Sequence, residues 1–394
     1  MVKLAILSHF KVYEELASGA TALGCGVIPY VDAVELRQCF AAGEAVDLVL
    51  DINFHPEIWQ VAREMDCNYA VWSFDSTVSA AMERIDRREL RKNDAFFLFN
   101  RADALQASAW HSQVFYLPFS AGPGFELSPL RHGFRYDVAF VMNSYDATRR
   151  QAEEDFRQRQ AAATGPVERK LVDLAGQLGE LVIERQRQIY DRDLIADLWC
   201  DLAGQCGVDP FGRNDMARLR FCRGLGQILS AHQREDCLRA LGEAGLAVAV
   251  FGDNYWYTVT SDYPSLKFHG VADYASLPVL YNQSKVNINL TQVQNLDSVP
   301  QRIFHLLAAG GFVLTNGSPV LSELFQSGRQ LVMFASPAEM VERVRYYLEH
   351  ERARVKLAEH GHDAFMAEHR MAMRLAVIMS CFSFDGTSPV TAGK

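Results

Sequence analysis

The sequence lacks any apolar run near the ~18 residues that a membrane span requires, and its opening, MVKLAILSHF, is too short for a secretory signal. We therefore expect a soluble, cytoplasmic protein with no membrane span. Its eight cysteines are scattered and form no CxxC pair. This spacing favours reduced thiols that act as small apolar side chains over a zinc site or a disulfide framework.

Positive charge is also in deficit, since the formal net charge is −9. Such a chain repels nucleic acid and anionic lipid unless a local basic patch overrides the overall field. The one candidate patch, residues 84–92, interleaves arginines with acidic residues at helical spacing, as an ion-paired surface does. We expect no nucleic-acid partner.

Several catalytic motifs are missing. The sequence has no Walker loop, no HExxH and no GxSxG, so ATPase, zinc-protease and α/β-hydrolase activities lose their usual support. A GLG string at residues 224–226 has neither a preceding strand nor the third glycine of a dinucleotide fingerprint.

What the chain does have is length and apolar content. It has 394 residues, of which 49% are hydrophobic and 22% charged. A single core usually stops growing at roughly 250–300 residues, so two globular domains are expected.

Short apolar runs without polar alternation recur through both halves of the chain, as in strands buried on both faces. The first series is KLAILS, GVIPYV, VDLVLDI, YAVWSF, AFFLFN and QVFYLPF; the second is YDVAFVM, LAVAVFGD, SLKFHG, KVNINL, GFVLTN and QLVMF. Helical periodicity fills the segments between them. The pattern predicts an α/β fold with two Rossmann-like domains facing a cleft, the usual place for a ligand.

The predicted domains are residues 1–130 and 131–375, with 376–394 as a tail that can return to the N-terminal domain. A strand-free stretch, 145–245, is predicted to be a helical insertion into the C-terminal domain. An apolar stripe along it can either bury itself internally or support an oligomer. Its members are Leu171, Leu174, Leu178, Leu181, Ile189, Leu194, Leu198 and Leu202.

The most informative segment is residues 281–325. It predicts a strand ending near Leu290, then a helix that starts at Asp297 or Ser298 with Pro300 in its first turn. Free N–H groups and the helix dipole would hold a diphosphate there, with Arg302 adding a charge-assisted contact. The alternative is that Asp297 and Ser298 are ordinary caps and Arg302 a surface charge.

The sequence resembles a known family at this segment. The runs HGVADYASLPVLYNQSKVNINLTQ, RIFHLLAAGGFVLTN, LSELFQSGRQLVMFASPAEM and RYYLEH are similar to the C-terminal domain of the CgeB-like (spore maturation protein) glycosyltransferases. YAVWSFDSTVS, YLPFSAGP and YDVAFVMNSYDATRR resemble its N-terminal domain and junction. The resemblance covers about 1–150 and 245–375.

The resemblance implies a GT-B fold, a metal-independent reaction, and a nucleotide-sugar co-substrate, UDP-, GDP- or dTDP-linked, with no further cofactor. His305 stands where related enzymes have a ribose-binding Glu, and Asp297 stands where a second acidic residue often lies. Arg149 follows the first strand of the C-terminal domain, where relatives place a diphosphate-binding basic residue. A surface role for Arg149 has equal weight.

The same matching to the family implies further donor-binding candidates. They are Gly252, Asp253, Val271, Lys285, Ser298 and Val299. Lys285 can equally be a solvated lysine at a strand start, and the turn at Gly252 and Asp253 can simply end its strand. A DRD string at residues 191–193 matches the DxD motif of metal-dependent glycosyltransferases, but it lies within the predicted helical insertion. We interpret it as a solvated helix face and expect no metal.

An inverting transfer needs a base for the acceptor hydroxyl, whereas in a retaining transfer a donor phosphate oxygen commonly takes that role. Asp75 follows a predicted strand and is the first candidate for the base, although it can instead cap the next helix. His9 and His55 follow other strands and are weaker candidates. Arg302 would stabilise the leaving nucleotide.

Three functions remain open. The first is transfer of a sugar to a hydroxyl of a glycan, a lipid-linked sugar or a protein. The second is a catalytically inactive binding or scaffold protein, which His305 in place of Glu suggests. The third is a nucleotide-sugar epimerase.

Overall fold

The computed structural model describes residues 1–74, 86–109, 111–212 and 214–384. Each of the twelve apolar runs becomes a strand. The first six strands are β1 (Lys3–Leu7), β2 (Gly26–Tyr30), β3 (Leu48–Ile52), β4 (Asn68–Trp72), β5 (Asp94–Leu98) and β6 (Val114–Tyr116). The helices described among them are α1 (Tyr13–Ala22), α2 (Ala33–Ala41), α3 (Pro56–Glu64) and α4 (Arg101–Ser108).

These six strands form one parallel sheet in the order β2-β1-β3-β4-β5-β6. Strands β3, β4 and β5 lie inside the sheet and are almost wholly buried, which explains their unbroken apolar sequences. Pro29 lies in the edge strand β2, where a residue without an N–H is tolerated.

The remaining strands are β7 (Tyr136–Val141), β8 (Val248–Phe251), β9 (Leu266–Phe268), β10 (Ser284–Asn289), β11 (Val313–Asn316) and β12 (Val332–Phe334). They form a second parallel sheet in the order β12-β11-β10-β7-β8-β9. The prediction of an α/β fold with two Rossmann-like sheets is confirmed.

Helices α5 to α8 occupy the strand-free stretch. They are α5 (Asp146–Ala162), α6 (Pro166–Gln186), α7 (Ile195–Cys206) and α8 (Asp215–Glu243). The later helices are α9 (Tyr255–Thr260), α10 (Leu277–Asn282), α11 (Gln301–Ala308), α12 (Pro319–Leu324), α13 (Pro337–Glu349), α14 (Glu351–Glu368) and α15 (Met371–Ser380).

Contacts divide the chain into two compact units. The first unit comprises Met1–Leu127, Ser298–Ala308 and Asp363–Lys394, and the second comprises Ser128–Asp297 and Ala309–His362. The chain leaves the second unit after Asp297 and returns to it at Ala309, so α11 belongs to the first unit. The last helix, α15, also belongs to the first unit, where it packs on α1.

The apolar stripe of the insertion is partly buried within the second unit. Leu178 and Leu202 join a core cluster with Trp199, Leu225 and Leu229, and Val293 and Leu296 from the main body of the unit complete it. Leu181 remains 39% exposed. The insertion is therefore anchored to the sheet that it interrupts.

Among the described residues, no helix combines the length and apolarity that crossing a bilayer would require.

Candidate functional site

The second sheet has a topological switch point between β7 and β10. Strands β8 and β9 lie on one side of β7, while β10, β11 and β12 lie on the other. Loops that follow β7 and β10 therefore leave the sheet in opposite directions at its carboxyl edge, which is the arrangement that forms a crevice in open α/β sheets. In open α/β sheets this crevice is the usual ligand site.

Arg234, in helix α8 of the insertion, joins the two loops at this crevice. Its guanidinium donates to the carbonyl of Asn143 at 2.6 Å, after β7, and to that of Leu290 at 3.1 Å, after β10. The same group lies 4.2 Å from the ring centroid of Tyr145, and the arginine is only 4% exposed. Tyr145 has a left-handed backbone with φ of 62°. Sequence analysis missed Arg234, because nothing local marks a helical arginine as a contact to two distant loops.

The loop after β8 is tied to the loop after β7. Ser144 donates its backbone N–H and its hydroxyl to the carboxylate of Asp253, at 2.7 and 2.8 Å. Gly252 has a packing reason to be glycine, because a Cβ there would lie 2.2 Å from the Met142 carbonyl oxygen. Two predicted donor residues, Gly252 and Asp253, thus lie at the carboxyl edge and shape the crevice.

Arg149 lies in the first turn of α5, directly after this edge. It forms an ion pair with buried Asp146 at 2.5 Å, and its guanidinium lies 5.9 Å from the Tyr255 ring centroid. Arg150 pairs with the same carboxylate. Two cations thus share one buried anion at the amino end of a helix, where the dipole also favours an anion.

Two further predicted donor residues lie in the second unit, one at each edge of the sheet. Lys285 is at the amino end of β10 and binds Asp137 of β7 at 2.6 Å. This is the sheet edge opposite Gly252 and Asp253. A donor-binding role for Lys285 stays a prediction. Val271 is 75% exposed, one residue after Gly270, whose carbonyl accepts from Gly252 N–H.

Helix α11 begins at Gln301, three residues after the predicted start. Ser298 instead forms an antiparallel bridge with Asn100. Val299 directly precedes Pro300 and is therefore pushed out of the helical region, so the helix starts only after it. Ser298 and Val299 are buried in the first unit, whereas Asp297 is exposed in the second. Arg302 is half-buried in the first turn. Diphosphate binding by these residues stays a prediction.

His305 lies in the first unit with its imidazole committed to neighbours there. Its Nε2 is 3.2 Å from both carboxylate oxygens of Glu15, and its ring stacks on Phe125 at 3.8 Å. Glu15 also accepts from Gly122 N–H at 2.6 Å and from the Gln301 amide at 3.2 Å. A ribose-binding role for His305 stays a prediction.

The DRD string occupies a loop between α6 and α7, so its interpretation as a helix face is wrong. The preceding residue, Tyr190, accepts through its carbonyl from the Asn316 amide at the end of β11. Asp191 and Arg192 line a cavity of about 440 Å³ together with Gly317, after β11. Burial, with the nearby charges of Asp297 and Asp197, raises the pKa of Asp193 to about 6.

A second polar cluster lies at the carboxyl edge of the first sheet. Asp51, within β3, is fully buried and accepts from the backbone N–H of His55 at 2.6 Å and from the Tyr69 hydroxyl at 2.6 Å. The Nδ1 of His55 lies 2.7 Å from the other carboxylate oxygen. This contact places the proton on Nδ1 of the neutral ring and leaves Nε2 as the base. The histidine side chain is 28% exposed.

The turn that presents His55 has an unusual backbone. Asn53 and Phe54 have φ values of 68° and 54°, a region that non-glycine residues rarely adopt. The Asn53 carboxamide accepts from Phe74 N–H at 2.5 Å, and Phe54 is buried. Such conformations concentrate at functional sites, where surrounding contacts must hold them.

His9 lies near this cluster, with its ring centroid 6.1 Å from that of His55 and its Nδ1 3.2 Å from the Val31 carbonyl. Asp75 lies outside the described residues. The sequence signal for the dyad was an aspartate inside the apolar strand VDLVLDI, four residues before His55. Within the described part of the chain, no three His, Cys, Asp or Glu side chains cluster as a metal site.

Comparison with known proteins agrees with this architecture. Residues 233–380, less than half of the chain, match the family model described as glycosyl transferase-like. No curated protein gives a significant match. The chain therefore shares a glycosyl transferase-like segment, while the closer CgeB-like resemblance stays a prediction.

Three solved structures share the fold over nearly the full chain. The β-glucosyltransferase of phage T4 is 12% identical with a TM-score of 0.50, covering 97% of this chain and 100% of that one. The sucrose-phosphate synthase from Thermosynechococcus elongatus is 8% identical, with a TM-score of 0.52 and coverage of 96% and 98%. A glycosyltransferase from Rickettsia africae is 9% identical, with a TM-score of 0.52 and 96% coverage of each. The fold is of the GT-B type.

The role of Arg234 can be tested by measuring the free energy of unfolding of a variant. Arg234→Met leaves the Asn143 and Leu290 carbonyls without a charged donor, and each buried unsatisfied group costs about 1–3 kcal/mol. We expect the free energy of unfolding to fall by about 3 kcal/mol in urea titrations. Arg239→Met, on the same helix with surface ion pairs to Glu235 and Asp262, is the control and should cost less than about 1 kcal/mol. Equal losses in both variants would contradict the assignment.

The contact between His55 and Asp51 predicts how the pKa of His55 changes when Asp51 is replaced. The hydrogen bond that His55 donates to Asp51 raises the pKa of His55 above its ordinary 6.5, against the opposing effect of burial. Asp51→Asn removes the negative charge, so the pKa of His55 should fall. NMR titration of the imidazole resonances measures it, with His269 as an internal control, because burial and Arg135 lower its pKa independently. An unchanged His55 titration in Asp51→Asn would disprove the coupling.

Proposed function

We propose that this protein is a glycosyltransferase that moves a sugar from a nucleotide diphosphate sugar to a hydroxyl acceptor. The observation that carries the proposal is the switch point between β7 and β10, whose two loops Arg234 joins, in a sheet whose later strands belong to the glycosyl transferase-like segment. A nucleotide is a ligand that such switch points characteristically accept.

The donor diphosphate binds at the amino end of α5 in this proposal. Arg149 and Arg150 supply the positive charge, and Asp146 holds both guanidinium groups in place. The N–H groups of the first helical turn favour the same anion. As the bond from the anomeric carbon to the diphosphate oxygen breaks, these cations stabilise the charge that collects on the leaving nucleotide.

The acceptor hydroxyl must lose a proton as its oxygen bonds to the anomeric carbon. In our proposal His55 takes that proton on Nε2, and the buried Asp51 carboxylate stabilises the resulting imidazolium. The pairing of a partly exposed histidine with a buried aspartate supports His55 over His9, whose Nδ1 faces a neutral carbonyl. Asp75 stays a candidate from sequence alone.

Donor binding is the first test. Thermal-shift measurements against UDP-, GDP-, dTDP- and CMP-sugars should reveal one nucleotide class that stabilises the protein, by about 2.7 kcal/mol at a hundredfold excess over Kd. Arg149→Gln should weaken binding about 10- to 100-fold, since a charged hydrogen bond contributes about 1.5–3 kcal/mol. The matched control is Arg329→Gln, an exposed arginine before β12.

No stabilisation by any donor would contradict the transferase proposal and favour the inactive binding protein. Stabilisation that Arg149→Gln leaves unchanged would retain the function but remove Arg149 from the site.

The base is tested by the pH dependence of donor hydrolysis, in which water is the acceptor. The rate should rise with pH through the pKa of His55, because only the neutral imidazole accepts a proton. His55→Gln should lower the rate about 10²- to 10⁴-fold and remove that pH step. The control is His132→Gln, an exposed histidine of the second unit. A wild-type profile in His55→Gln would exclude His55 as the base.

A further inference from the structure

The helical insertion carries a second, open cavity, which begins at Thr148 and Gln151, beside the proposed donor-binding residues Arg149 and Arg150. Its volume is about 790 Å³, and helices α5, α6 and α8 form its walls. Sites for small molecules commonly span about 300–1,000 Å³.

The walls of this cavity are mainly apolar. Phe156 from α5, Ile183 from α6, and Phe221 and Ile228 from α8 line it and are only half-buried. Each Å² of apolar surface that stays in contact with water lacks about 25 cal/mol of the stabilisation that burial would give. An apolar ligand body would recover that free energy.

Glycines create the room for these side chains. A Cβ on Gly176 would lie 2.6 Å from the Phe156 ring, so the ring packs directly on the α6 backbone. A Cβ on Gly224 of α8 would meet nothing within 4 Å, and Gly224 also lines the cavity. The open space therefore depends on residues without side chains.

Two arginines of the lining lie close along the chain to its aromatic side chains. Arg159 is one helical turn beyond Phe156, Arg220 precedes Phe221, and the two rings are 5.9 Å apart. Both arginines are exposed, and within the described part of the chain neither forms an ion pair. A third arginine of the lining, Arg157, is already paired with Glu154 at 3.1 Å.

The lining also contains three carboxylates, those of Glu153, Asp155 and Glu180, and Asp155 accepts from the Gln151 amide at 2.7 Å. Arg159 and Arg220 are the lining arginines that stay available to pair with an acidic group of a ligand.

We propose that this cavity binds a small amphipathic anion. Its apolar body lies among Phe156, Phe221, Ile183 and Ile228, and its acidic group contacts Arg159 and Arg220. This site goes beyond the proposed glycosyl transfer, because it uses none of the residues assigned to that reaction.

Two fluorescent probes of the same body test the proposal. 8-Anilinonaphthalene-1-sulfonate carries an acidic group, and N-phenyl-1-naphthylamine lacks it. Under native conditions the sulfonate should bind saturably at one site, at least tenfold more tightly than the neutral amine. Replacing both arginines (R159Q with R220Q) should remove that preference while leaving binding of the neutral amine unchanged.

Gly224→Leu should abolish binding of both probes by filling the open space. Leucine has a higher helix propensity than glycine, so folding is retained. The matched control is Gly204→Leu on α7, where a Cβ also meets nothing within 4 Å but the residue lies outside the cavity lining. Equal sulfonate binding in both leucine variants, or equal affinity for both probes, would overturn the proposal. Stabilisation of the same samples by nucleotide-sugar donors is measured separately, so a failure of the proposed glycosyltransferase function can be told from a failure of this cavity.

Discussion

Both sheets of this protein are wholly parallel, and that constraint organises everything else. Each strand must be followed by a crossover before the next strand can run in the same direction, so the loops after the strands collect at one edge. In the second sheet this edge carries Ser144, Gly252 and Asp253. In the first it carries His9 and His55. Polar chemistry concentrates there because the strands themselves are buried on both faces.

Two buried charges hold these edges in place, and they do so in different ways. Arg234 offers its guanidinium to backbone carbonyls and a tyrosine ring, so a charge removed from water is compensated by dipoles and a π face. Asp51 is compensated by an N–H, a phenol and an imidazole. Removing one partner from either cluster leaves desolvated groups unpaired. The insertion that carries Arg234 therefore supports the crevice as well as adding bulk to the unit.

Local pattern predicted much of the fold. Buried parallel strands need continuous apolar residues, so runs such as VDLVLDI and KVNINL identified every strand of both sheets. The helical insertion could also be predicted from the sequence, because helices need an apolar stripe at a spacing of three to four residues. The helix near residue 300 was located but begins at Gln301, since the backbone pairing of Ser298 with Asn100 extends the chain before Pro300.

The sequence by itself determined the α/β class, the strands and the helical insertion, because these follow from interactions between residues close along the chain. Only the tertiary structure decided which side chains share a site. It brought Arg234 to the loops after β7 and β10, assigned α11 to the first unit and placed Lys285 at the opposite sheet edge from Gly252. Such proximities depend on strand order and on contacts across many residues, which no local pattern encodes.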